Sequence, residues 1–275
     1  MKLGILYICT GPYAAFWEDF YKSSERFFLS KEDVDKEYFV FTDAESIYEE
    51  SNPRVHKLYH QKQPWPYDTL MRYHIFLEKS ELYSDMDYLF FLNANALFVE
   101  DIYKEDVLPN KANGKEITVV KYYADTITKN PNETNPESTA FVPWKEGGVL
   151  YVAGGMNGGF KDSFLEMAKE ISDRIDADLK KGIVAKSHDQ SHLNNYIYRH
   201  DNWRLLGKEY DYAEELKLPF KPKVIYRDKS KYFNDVEYKY GKKYAMKRKA
   251  KLWIRRVIKW EKIKKYFTKN NKLHP

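Results

Sequence analysis

A chain of 275 residues with 43% apolar and 17% aromatic side chains is long enough for one large domain or two small ones and can bury a substantial core. Its single cysteine, Cys9, excludes an intrachain disulfide and suits a reducing compartment; the apolar opening MKLGILYICTG is too short for a signal peptide. Net charge is +5, but residues 245–267 hold ten Lys/Arg against one Glu, a local +9 that leaves the remainder acidic at −4.

In chain order, LGILYICT (3–10) reads as a buried strand, and YAAFWEDFYKSSERFFL as a helix with Trp17, Phe20, Tyr21, Ser24, Phe27 and Phe28 at helical spacing. Residues 36–43 and 54–60 are the next strands. After a break at Pro64 and Pro66, a helix is expected near 68–82, then a strand over DYLFFL (87–92) that leads into Asn93-Ala94-Asn95. Such alternation predicts an α/β sheet with ligands at the carboxyl ends of its strands. Residues 110–148 are loop-rich, with ITKNPNETNPES the most polar part; a substrate-ordered loop and a plain surface loop fit equally. A strand follows at 149–160 (VLYVAGGMNGGF), then a helix with Phe160, Phe164, Met167, Ile171, Ile175 and Leu179 on one face. HDQSHLNNYIYRH (188–200) is a loop entering another helix. No apolar run reaches about eighteen residues, so no segment is expected to span a membrane.

Four places are candidates for chemistry. Strand alternation would point Asn93 and Asn95 to one side, where amides suit a sugar or ribose hydroxyl better than a hard dication; capping a turn is the plain alternative. YICTGPY turns sharply at Gly11 and Pro12 without phosphate-loop spacing. Gly154 and Gly155 at a strand end would let a ligand approach the backbone, or mark a bulge. His188 and His192, at i and i+4, would share a helical face, but no HExxH is present and no metal is expected.

Together YICTGPY, WPYDTLMR, LFFLNANALF, the P-x-x-EGG-x-x-Y stretch running into AGG-x-x-GG, and HDQSHLN resemble glycosyltransferase family 6 over roughly residues 1–232. Asn-Ala-Asn is similar to the bacterial members, which work without a metal where the mammalian enzymes carry Asp-x-Asp. The resemblance implies a GT-A-type α/β domain, a nucleotide-binding sheet flanked by helices, over residues 1–240. Residues 241–275 would form a basic amphipathic C-terminal helix. It implies retaining transfer of GalNAc or Gal from a UDP-sugar in α-1,3 linkage to a galactose-containing, by family analogy fucosylated, glycan. The implied donor contacts are Ile8, Cys9, Thr10 and Tyr13 for uracil, Arg72, Asn93, Ala94 and Asn95, and the donor-choosing Ala153, Gly154 and Gly155. Glycine at 155 favours UDP-GalNAc, because a methyl would take an acetamido group's room. Lys229 and Lys231 would stand in for a metal on the diphosphate. His188, Trp65 and Tyr122 are the acceptor-side candidates, and Gln190 and Asp189 the catalytic ones.

This sequence departs from the family at Gln190, where the usual residue is a glutamate beneath the sugar. An amide cannot form a glycosyl ester and carries no charge for a cationic centre. Gln190 fits an engineered replacement, a natural front-face route assisted by the leaving group, or a sugar-nucleotide- or glycan-binding protein with little transferase activity. Ser187 and Ala153 stand where the family has tryptophan and histidine. In the tail, Met246, Ala250, Trp253, Val257 and Trp260 recur at helical spacing among the cations, a pattern suited to an anionic membrane surface. The expected location is cytoplasmic, peripheral at the inner face of the membrane. The acidic body and the absence of an RNA or DNA motif argue against a nucleic-acid partner.

Overall fold

A computed structural model of the chain describes residues 1–124, 129–144 and 150–234, with Glu237, Lys242, Met246 and Lys247. Its elements run β1 (Lys2–Ile8), α1 (Trp17–Phe27), β2 (Asp35–Thr42), β3 (Val55–Tyr59), α2 (Tyr67–Leu70), α3 (Arg72–Leu77), β4 (Tyr88–Leu92) and β5 (Ala96–Phe98). They continue with α4 (Lys104–Val107), β6 (Ile117–Lys121), β7 (Val152–Phe160), α5 (Lys161–Lys180), α6 (Asp189–Arg199), β8 (Trp203–Leu206), β9 (Tyr212–Ala213) and β10 (Val224–Tyr226).

Seven strands form one mixed sheet in the order β3-β2-β1-β4-β7-β6-β8. The first four are parallel, β7 is antiparallel to both β4 and β6, and β8 runs parallel to β6. Three short strands, β5-β10-β9, make a second sheet. Period-two alternation in β1 feeds both faces: Leu3, Ile5 and Tyr7 join one core cluster, Leu6 the other. Trp17 and Phe20 of α1 fill the first side, and Phe164, Met167, Ile171 and Ile175 of α5 the second, all at most 1% exposed. The α/β architecture expected from the sequence is therefore present, consistent with a GT-A-like domain.

Two local expectations change. The helix near 68–82 is broken at Met71 (φ −90°, ψ 12°) into α2 and α3, with a separate 3-10 turn at Ser80–Tyr83. Arg72 opens the second piece and is turned inward, 6% exposed. In β7 the strand begins at Val152, and its register against β6 jumps from Asn157 to Ala153 while β6 advances only from Val119 to Val120. Gly154, Gly155 and Met156 thus form a bulge beside β6, although Met156 still pairs with Leu92 of β4. The bulge and the ligand-facing edge are one feature, since β7 starts next to the carboxyl end of β4.

The chain divides into two compact units, Met1–Asp228 and Lys229–Pro275. Most of the second, including most of the basic 241–275 helix expected from the sequence, lies outside the described residues. Among the described residues no helix is long and apolar enough to cross a membrane.

Candidate active site

A cleft of about 410 Å³ opens at the carboxyl edge of the parallel strands. Nine predicted residues line it: Arg72, Asn93, Tyr122, Ala153, Gly154, Gly155, His188, Asp189 and Gln190. Five others complete the lining: Thr69, Lys186, Ser187, Asp211 and Tyr226.

Arg72 ties the floor together. One guanidinium nitrogen stands 2.8 Å from Asp189 Oδ2 and donates to the Gly154 carbonyl at 3.0 Å; the other donates to Asn93 Oδ1 at 3.2 Å. The guanidinium also lies 4.0 Å from the Phe91 ring centre. Asp189 is 2% exposed, and burial raises its carboxyl to about 6 against the opposing pull of Arg72. Because this cation is already paired with a buried carboxylate, it holds the site's shape and presents less charge to a diphosphate than a free arginine would.

Gln190 sits in the first turn of α6, its Nε2 donating to the Val152 carbonyl at 3.0 Å. A Cβ at Gly154 would stand 2.9 Å from Gln190 Cβ, so glycine there lets the two segments close. His188 caps the helix with φ 54° and ψ −128°, a backbone state L-residues rarely take, worth about 1–3 kcal/mol of strain. Its ring meets Trp65 edge-on at 5.2 Å, bringing Trp65 beside the cleft. Since His188 precedes the helix, it does not share a helical face with His192. The latter is buried 3.8 Å from Asp178, and burial lowers its ring to about 4.

The polar loop is tied down between 129 and 144. Ser138 Oγ donates to Asp178 Oδ2 at 2.5 Å, and Thr139 N to Oδ1 at 2.7 Å. Glu133 accepts the Thr134 and Asn135 amides on one oxygen and the Lys186 amide, at 2.6 Å, on the other. Lys186 leads directly into His188-Asp189-Gln190.

Asp211 and Tyr226 carry no motif and were invisible in the sequence. Asp211 follows a 3-10 turn at Lys208–Tyr210 and accepts the Tyr123 amide at 3.1 Å; burial pushes its carboxyl up to about 7. Tyr122, whose hydroxyl donates to that of Tyr123 at 2.9 Å, has its phenol held up by burial.

Other predicted residues take different positions. Asn95 does not face the same way as Asn93. The strand ends at Leu92, the Ala96 amide bonds back to the Asn93 carbonyl at 2.9 Å, and alternation is lost in that turn. Asn95 instead donates to the Arg227 carbonyl at 2.8 Å, fastening β5 to β10. Ala94 is buried, its carbonyl accepting from Tyr7. The Cys9 thiol is in the core, raised to about 12 by burial, and its amide and carbonyl are engaged by Phe41 and Thr42. Ile8 ends β1, Thr10 Oγ1 donates to Asp68 at 2.8 Å, and Tyr13 lies in the 3-10 turn Gly11–Phe16, half-buried. Lys229 and Lys231 form a 3-10 turn opening the second unit.

This donor set does not fit a divalent cation. Asn93 Oδ1 is taken by Arg72, Asn95 is turned into the fold, and among the described residues no cluster of three or more His, Cys, Asp or Glu could hold a metal.

The sequence profile described as Glycosyltransferase family 6 matches residues 1–237. Among similar proteins is the O-antigen biosynthesis glycosyltransferase WbnI of Escherichia coli, 33% identical over 84% of this chain and 96% of the relative. Globoside alpha-1,3-N-acetylgalactosaminyltransferase 1 of Homo sapiens is 25% identical over 82% of this chain and 65% of that protein. Histo-blood group ABO system transferase 1 of Rattus norvegicus is 36% identical over 30% of this chain and 24% of its own length.

Proposed function

The chain belongs to glycosyltransferase family 6 and is a hexosyltransferase, and from that premise we propose that it moves GalNAc, with Gal as the lesser donor, from a UDP-sugar. Transfer proceeds with retention, in α-1,3 linkage, onto a galactose-containing glycan and without a metal ion. The observation that carries this reading is the convergence of Arg72, Asp189, Gln190 and the Gly154–Gly155 bulge on one cleft. The glycines at 154 and 155 let Gln190 and Tyr226 close onto the bulge, and all four residues line the cleft. The amide pair Asn93 and Asn95, one bonded to Arg72 and the other to Arg227, supports metal independence. Charge for the departing diphosphate then falls to basic side chains, with Lys229 and Lys231 as the proposed pair. Trp65, His188 and Tyr122 are the proposed acceptor contacts.

Gln190 favours slow transfer, and a protein that binds donor with little turnover is the second reading. A glutamate in its place would meet the Val152 carbonyl with an oxygen instead of an N–H. It would turn toward the cleft, where a carboxylate can stabilise a cationic centre. The test is a donor-by-acceptor screen of the parent and Gln190→Glu, with and without EDTA. UDP-GalNAc turnover should exceed UDP-Gal turnover, ignore EDTA, and rise about 10²-fold in Gln190→Glu. Dependence on Mn²⁺ overturns the metal-free reading, faster UDP-Gal turnover the donor choice, and an unchanged rate in Gln190→Glu the role given to position 190.

A further inference from the structure

We propose that Tyr226 is a contact to the donor hexose through its phenol, and that the ring of Tyr226 is what first requires glycine at position 155. The proposal rests on the sugar-nucleotide reading above. Tyr226 ends β10 of the small sheet, and Gly155 lies on the bulge of β7 in the large one. They meet across the cleft because residue 155 has no side chain. A Cβ built there would stand 2.6 Å from Tyr226 Cζ, 2.7 Å from its Oη and 2.8 Å from its Cε1. A real Cβ essentially never comes that near a non-bonded atom, and the tyrosine has little freedom to give. Its backbone pairs with Ala96 on one side and Ala213 on the other, and its ring packs on the first core cluster. A methyl at 155 would therefore displace the tyrosine before it met any ligand.

The phenol oxygen is buried and has no hydrogen-bond partner in the described structure. Its polar neighbours on the cleft wall are engaged elsewhere: Arg72 by Asp189, Gly154 and Asn93, and Asp211 by Tyr123. A buried hydroxyl left unpaired is costly, so a ligand that supplies the missing partner gains by it. Tyr226 lines the same cleft as Gly155 and Arg72, whose guanidinium ties the floor together. That floor lies at the carboxyl edge of the sheet, where open α/β sheets bind the nucleotide-linked ligand. A hexose presents hydroxyl and amide groups on every side and can complete the bond.

The test is titration of UDP and UDP-GalNAc, in the absence of acceptor, into the parent, Tyr226→Phe, Gly155→Ala and Gly155→Ala/Tyr226→Leu. Tyr226→Phe removes only the hydroxyl. It should bind UDP within about twofold of the parent but lose about tenfold in UDP-GalNAc affinity. Gly155→Ala should lose both sugar affinity and melting temperature, and truncating the ring in the double variant should restore the melting temperature. Unchanged UDP-GalNAc affinity in Tyr226→Phe, including the case where only an acceptor KM rises, overturns the contact. Parent-like melting of Gly155→Ala overturns the steric coupling. Failure of the parent to bind UDP at all overturns the sugar-nucleotide reading, and this proposal with it.

Discussion

Asp211 shows burial setting a side chain's chemistry with little help from neighbours. Its carboxyl lies well above the usual carboxylate range, at about 7, because burial disfavours the anion more than the single Tyr123 amide supports it. The folded protein thus holds this proton more tightly than the unfolded chain does. The associated stability is fully present below the unfolded pKa, near pH 4, and is lost as pH rises through about 7. Asp211→Asn cannot ionise and can still accept the Tyr123 amide. It should match the parent at pH 4 and exceed it by about 1–3 kcal/mol at pH 8, as read from urea unfolding midpoints at the two pH values. Equal midpoint differences at both pH values would count against a buried anion. No sequence pattern announces Asp211 or Tyr226: each reaches the cleft through a short strand or turn that only long-range pairing defines. By contrast Arg72, Asn93, Gly154, Gly155, Asp189 and Gln190 were legible, because they sit in motifs at the ends of strongly patterned elements.

At the scale of elements, the strap over 129–144 couples distant parts of the chain to the site. Glu133 alone satisfies three backbone amides, two in its own turn and one at Lys186. Hydrogen bonds to a carboxylate are worth about 1.5–3 kcal/mol each, net of the bonds to water they replace. Glu133→Ala should cost about 2–4 kcal/mol of stability and, more tellingly, raise amide exchange across 185–190 well above the rise elsewhere. Uniform loosening of the whole domain would argue that the strap is ordinary packing. The polar composition of this loop concealed its anchoring, since carboxylates and asparagines look alike whether they meet water or backbone. Period was equally silent about where a pattern stops. It located β4 and α5, but not the turn that rotates Asn95 inward, nor the break at Met71 that aims Arg72 at the cleft.

For the whole molecule, the sequence conveyed the alternating architecture and the uneven charge, while the reversal at β7 that builds the cleft's edge depended on pairings no local signal carries. The charge asymmetry separates a chemical role for the acidic body from a locating role for residues 245–267, a division that remains a proposal. Deleting residues 245–275 should leave transfer to a small soluble acceptor within about twofold and abolish sedimentation with vesicles rich in anionic lipid. Equal sedimentation of both chains would remove the membrane from the account. Within the body, a single guanidinium fastens the start of α3, the exit of β4, the beginning of β7 and the first turn of α6. These four segments therefore cannot breathe independently: the Gln190–Val152 bond doubles the tie between α6 and β7, and the walls should share a single opening constant, so that the cleft is either assembled in full or not there at all.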